Sequence, residues 1–172
     1  GDGSSGTFGN TLTGGTYALT IGTASVVFPL TSVIATAVPS LATLTFTGNS
    51  TAQTFTTGGQ SFASTAVVFN NSGTCTTSGA LAAKSVSVTG GGSAVLGGDL
   101  TAGSGGSNGN ITVTSGTLTT SGTVAIVTCG DVSVDSSFIL SDTASFEQLL
   151  SGTTVHTFTV AGTVTVGKTK FT

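Results

Sequence analysis

The sequence predicts an all-β chain wound as a parallel β-solenoid, with coils of about 22 residues. Three observations carry that prediction. Apolar and hydroxyl residues alternate through "ATLTFTG", "NITVTSGTLTTSG", "GDVSVDSS" and "HTFTVAGTVTVGK", and period two puts one set inward and the other outward on a strand. The alternation itself recurs along the chain. Charged residues make up only 5% of the 172 residues, against roughly 25% in an ordinary globular domain, and none lies between Asp2 and Lys84.

The recurrence is read from anchor positions: Phe46 in "TLTFTG", Phe69 in "AVVFNNSG", Val88 in "SVSVTGGG", Val113 in "ITVTSG", Val134 in "VSVDSS" and Phe158 in "HTFTVAG". Their steps are 23, 19, 25, 21 and 24 residues. Such a unit is too short for a four-stranded propeller blade of about 40 to 45 residues and suits a solenoid coil of two or three short strands. With coils about 4.8 Å apart, six of them make a column on the order of 30 Å tall. Stacking also accounts for the missing charge, because equivalent positions lie over one another and like charges at strand-pair spacing repel. Thr and Ser ladders bond sideways and stay hydrated, while the anchors fill the interior.

Taken in order, "GDGSSGTFGN", Gly1 to Asn10, reads as a flexible end and "GTYALTIGTASVVF" as an extended strand pair. A chain beginning at Gly1 reads as a mature or trimmed product. Ala24 to Phe46 is the most apolar stretch, but Pro29, Pro39 and several hydroxyls make it a β-rich interface segment and not a membrane span. "SFEQLL", Ser145 to Leu150, is long enough only for a turn or cap. The organisation expected is an N-terminal extended or contact segment over 1–40, solenoid coils over 41–140, and a C-terminal β cap or contact segment over 141–172. An antiparallel β-sandwich of pilin or jelly-roll type is the alternative, since short alternating strands with frequent turns fit it too.

"LTFTGNSTAQTFTTGGQSFASTAVVFNNSGT", "SGALAAKSVSVTGGG", "GGDLTAG" and "ITVTSGTLTTSGTVAIVTCGDVSV" resemble the β-strand repeats of large bacterial secreted and cell-surface proteins, filamentous adhesins among them, and of phage fibres. The resemblance covers about Leu41 to Leu140. It implies a parallel β-solenoid with an extracellular structural or adhesive role, and no catalytic residues.

Composition excludes other classes. The net charge is −3, with three lysines and no arginine, so no basic face exists for a nucleic-acid backbone. "GTVTVGKT", Gly162 to Thr169, matches the phosphate-loop pattern at every position. Its Thr-Val-Thr-Val centre favours extended backbone, and the three residues after it leave no room for the helix such a loop requires. "GGSNG", Gly105 to Gly109, matches the nucleophile elbow, with Ser107, Asp131, Asp135 or Asp142, and His156 in hydrolase order. Strand-like "ITVTSG" follows it where a helix is needed. His156 is the single histidine and shares parity with Phe158 and Val160, which reads as a packed position rather than a metal ligand. Asp131 and Asp135 could serve calcium, or open strands from turns. With no Trp and one Tyr, a sugar-gripping set for a polysaccharide-active enzyme is missing.

Cys75 and Cys129 allow one disulfide. Their 54-residue separation, about 2.4 coils, favours two buried thiols over a bridge, because two coils already part residues by about 9.6 Å. Asn49, Asn70 and Asn110 stand in glycosylation acceptor patterns. Thr-x-Thr pairs at Thr43, Thr54, Thr74, Thr112, Thr117, Thr157 and Thr163 would suit an ice-binding grid only with one pair per coil on one face. Their irregular spacing reads as solvated ladders instead.

The function expected is that of a non-enzymatic structural subunit of an extracellular filament or surface fibre, a homo-oligomer or helical polymer needing no cofactor or metal. Expected assembly contacts are Val26, Val27, Phe28, Leu30, Val33, Ile34, Phe158, Val160, Val164 and Val166. The alternatives are an adhesin or phage decoration module binding glycans or a capsid surface, and a polysaccharide-active β-helix enzyme.

Overall fold

The computed structural model describes residues 6–7, 17–21, 26–27, 41–48, 52–104, 107–121, 126–140, 145–148, 157–166 and 168–171. All of its elements are strands. In chain order they are β1 (Gly6–Thr7), β2 (Tyr17–Ile21), β3 (Val26–Val27), β4 (Leu41–Phe46), β5 (Gln53–Thr56), β6 (Ser61–Phe69) and β7 (Thr74–Ser78). There follow β8 (Leu81–Val88), β9 (Ser93–Leu96), β10 (Leu100–Ser104), β11 (Ser107–Asn108), β12 (Ile111–Val113) and β13 (Thr117–Thr120). The last are β14 (Ile126–Cys129), β15 (Val132–Val134), β16 (Ser137–Ile139), β17 (Ser145–Gln148), β18 (Phe158–Val160), β19 (Thr163–Thr165) and β20 (Lys168–Phe171). Among the described residues, no helix is long and apolar enough to cross a membrane.

Every ladder is parallel except the small β10–β11 hairpin. Parallel ladders between successive passes of one chain are what a solenoid requires, so the sandwich alternative is excluded. The first face runs β1-β3-β5-β7-β9-β13-β16-β19. The other sheet forks at β8. Its first half, Leu81 to Ala83, continues through β10, β14, β17 and β20 as a second face. Its second half, Val86 to Val88, continues through β12, β15 and β18 as a third face, which β6, β4 and β2 extend in the other direction. Parallel pairing therefore continues outside Leu41–Leu140, from Gly6 to Phe171.

The anchors lie in one register column. Ile21, Phe46, Phe69, Val88, Val113, Val134 and Val160 follow one another directly across the third face. Only the last sequence anchor is displaced: Phe158 stands over Val132, and Val160 completes the column. A shift of two residues preserves parity, so alternation alone does not distinguish these positions. A second inward column holds Leu44, Val67, Val86, Ile111 and Val132, all buried. Inward columns from the other faces close the core: Cys75, Ala94, Leu118 and Phe138 from the first, and Leu81, Leu100, Val127 and Phe146 from the second.

Aromatic rings cluster toward the two ends of the described core. Phe55 lies 5.0 Å from Phe46 and 5.2 Å from Phe62, and Phe69 stacks on Phe46 at 5.6 Å. Phe146 meets Phe138 edge-on at 5.9 Å. Between them the columns hold aliphatic residues. Phe62 in β6 is followed by Ala83 and Ala102 in its column, so one large ring is set against two small residues and the interior fills without overpacking.

Coil length is set at the corners. Between the third and first faces, six residues separate Phe46 from Gln53, five Phe69 from Cys75, five Val88 from Ala94, four Val113 from Leu118, three Val134 from Phe138 and three Val160 from Val164. The connection tightens steadily. Here Gly116 has φ +92°, and a Cβ on it would collide with the Gly92 carbonyl oxygen of the coil before. Between the second and third faces, four residues separate Leu81 from Val86, ten Leu100 from Ile111, four Val127 from Val132 and eleven Phe146 from Phe158. Short and long coils thus alternate, and the true repeat is a double coil. The sequence carries it as "SGTCTTSG" from Ser72, "SGTLTTSG" from Ser115 and "AGTVTVGK" from Ala161.

Candidate functional site

The end of the column at β18 and β19 departs from the rest of the molecule. Phe158 and Val160 occupy columns that are buried from Leu44 to Val132 and from Phe46 to Val134, yet they are 36% and 45% exposed. The cause is position. Among the described residues, β18 has only β15 as a sheet neighbour and β19 only β16. The Phe158 ring packs edge-on against Phe146 at 5.5 Å and leaves its other side open. Val164, over Phe138, and Val166 are partly buried against the core. The rung therefore offers an apolar strip together with the outer N–H and C=O groups of edge strands, the combination that accepts a further parallel strand.

The remaining expected contacts fall elsewhere. Val26 and Val27 form β3, whose backbone is paired with β1 on one side and β5 on the other, so neither of its edges is open. Phe28, Leu30, Val33 and Ile34 lie outside the described residues. Of the acceptor asparagines, Asn70 and Asn110 are exposed at corners, and Asn49 lies outside the described residues. Asn71, next to Asn70, is buried and ties coils together, its Nδ2 donating to the carbonyl oxygens of Gly73 at 2.6 Å and Ser93 at 3.3 Å.

The chemistry-bearing residues stay apart. Cys75 and Cys129 are both unpaired and buried, in strands of different faces. Burial pushes each thiol up to about 12, with the nearby Asp131 charge adding to the effect at Cys129, so neither is a nucleophile at neutral pH. Asp131 and Asp135 flank the two ends of β15, about 13 Å apart along an extended strand, which is too far for one calcium ion to join them. Asp131 instead holds a corner: its Oδ1 accepts the Thr157 N–H at 2.8 Å. No group of three or more metal-ligating side chains occurs among the described residues. His156 and Asp142 lie outside them.

Both short motifs resolve into solenoid parts. Thr163–Thr165 of "GTVTVGKT" is β19, and Lys168 opens β20, so strands occupy the places of loop and helix. Gly162 is a corner residue whose Cβ would collide with the Ser136 carbonyl oxygen. In "GGSNG", Ser107 and Asn108 form β11 and pair back on Ser104 and Gly103.

Register also brings together what sequence spacing hides. On the first face the outward rows are Thr74, Ser93, Thr117, Ser137, Thr163 and, two residues along each strand, Thr76, Val95, Thr119, Ile139, Thr165. Thr54 and Thr56 of β5 continue the pattern over Thr76 and Ser78. Neither row contains a charge. The other faces differ: Asp131 and Asp135 bound β15 on the third, and Glu147 and Lys170 are register partners on the second. Among the described residues, no two like charges are register partners.

No family model, curated protein or solved structure matches this chain.

Proposed function

We propose that the chain is a non-enzymatic structural subunit of an extracellular filament or surface fibre, joined end to end by strand addition. One observation carries the reading: Phe158 and Val160, on columns that are buried from Leu44 to Val132 and from Phe46 to Val134, remain exposed on an edge rung. Covering them with the first rung of a second copy would continue both columns, Leu19 and Ile21 taking the places above Phe158 and Val160. Burial of apolar area drives such a contact and the backbone ladder orients it. The scarcity of charge fits a polymer whose equivalent positions face one another repeatedly. Asn70 and Asn110, exposed at corners, are the glycan positions this reading would use.

The test is a concentration series followed by sedimentation and electron microscopy, with a Phe158→Asp/Val160→Asp variant alongside. Concentration-dependent fibres or oligomers that the double variant abolishes are expected. A wild-type chain that remains monomeric at every concentration contradicts the proposal.

A further inference from the structure

The first face differs from the other two in ways that concern water rather than protein. Its ladders from Thr74 to Thr165 keep constant register from rung to rung, without a bulge. The outward rows therefore form a grid, with rungs about 4.8 Å apart and columns about 6.7 Å apart. Three rungs present Thr-x-Thr: Thr74 and Thr76, Thr117 and Thr119, Thr163 and Thr165. The rungs between present Ser93 with Val95 and Ser137 with Ile139. Threonine carries a hydroxyl and a branched methyl on one stiff side chain. Serine keeps the hydroxyl, and valine and isoleucine keep the branched methyl, so every grid point supplies at least one of the two. Ile139 is 39% exposed, large for an isoleucine in a stacked strand face. The irregular spacing in sequence comes from residues inserted at the corners, most of all between the second and third faces, and the ladders stay in register across it.

We propose that this face binds ice. Its neutrality disfavours an ionic partner and suits an uncharged lattice, whereas the second and third faces carry charge. Hexagonal ice exposes planes whose oxygen rows repeat at distances of the same size as the grid in two perpendicular directions. Methyl groups held in a rigid array order the adjoining water, and hydroxyls at fixed intervals anchor that water by hydrogen bonds. Stacked side-chain ladders keep a parallel sheet flat enough to meet a crystal plane over several rungs. This binding needs a single folded chain and does not depend on end-to-end assembly.

The experiment measures thermal hysteresis and ice-crystal shaping by the purified chain. Thr119→Tyr stands at the centre of the grid, and Thr112→Tyr stands on the third face as a control. Circular dichroism melts check that each variant folds. The wild-type chain is expected to shape ice and depress its growth temperature, Thr119→Tyr to lose most of that activity, and Thr112→Tyr to retain it. Val95→Thr with Ile139→Thr, which makes the column from Thr76 to Thr165 threonine throughout, is expected to raise the activity, so the proposal stays open to test if Thr119→Tyr fails to fold. A folded wild-type chain with no more effect on ice than an equal concentration of a control protein overturns the proposal. So does equal loss in Thr119→Tyr and Thr112→Tyr.

Discussion

At the corner between the third and first faces, six residues join Phe46 to Gln53 but only three join Val160 to Val164. At the corner between the second and third faces, connections of four residues alternate with connections of ten and eleven. The first corner is built of backbone stacked on backbone. Gly92 donates its N–H to Asn71, Thr117 to Gly92, and Ser137 to Gly116, each to a carbonyl oxygen one coil back. Connection length there varies by three residues, against seven at the second corner, where the β10–β11 hairpin accommodates one of the long connections. The faces keep their register because the ladders, and not the lengths of the connections, set it.

The sharpest way to break that contrast is at Gly116. Gly116→Val forces a branched side chain into left-handed backbone and against the Gly92 carbonyl, at a cost of about 4 kcal/mol. Two residues inserted between Ser104 and Ser107 should cost about 0.6 kcal/mol or less, since loop closure grows slowly with length. Urea midpoints of the two variants measure the difference. Equal losses would mean that the corners are not distinct.

The same column offers the next comparison. Val134→Ala should cost about 2 kcal/mol because the methyl groups it removes are fully packed. Val160→Ala, one rung further and 45% exposed, should cost less than about 1 kcal/mol in the monomer. In an assembled fibre the two costs should converge, because the added rung would bury Val160.

The buried thiols titrate the core itself. Unfolded thiols ionise near 9 and the folded ones near 12, so the folded chain binds more protons between those values. Their stabilising contribution is complete below pH 9 and is lost as pH rises from 9 toward 12, with about 1.4 kcal/mol per thiol gone at pH 10. Thiol-reactive reagent at pH 8 should label neither cysteine until the chain unfolds. The smallest contrast lies at the two ends of β15. Asp131→Ala removes the acceptor of the Thr157 N–H and should cost about 1 kcal/mol. Exposed Asp135→Ala should stay within about 0.5 kcal/mol.

Much of the fold was legible in the sequence because one property, alternation with a recurring anchor, is imposed directly by stacking. Phe46, Phe69, Val88, Val113 and Val134 each fill the same column. Phe158 stands two residues short of the anchor column because "HTFTV" alternates uniformly, and nothing in it separates Phe158 from Val160. The threonine grid was missed for a different reason. Sequence distance counts corner residues and register does not, so Thr74, Thr117 and Thr163 look irregular as 43 and 46 residues while standing in one row. The near-identity of "SGTCTTSG" and "SGTLTTSG" carries the double coil, but only at twice the step on which the anchors concentrate attention. The open edge rung was legible only as apolar composition in "TFTVAGTVTV", because exposure depends on what lies above a strand.

The central claim is that distance within the third face grows with rung number and not with residue number. Spin labels on cysteines replacing Thr45 and, in turn, Thr112, Ser133 and Thr159 test this directly, since the native thiols are buried. Backbone separations of about 14, 19 and 24 Å, rising by one strand spacing per rung, are the predicted result. Separations that fail to rise steadily from one rung to the next, as two facing layers of hairpins would give, would contradict it.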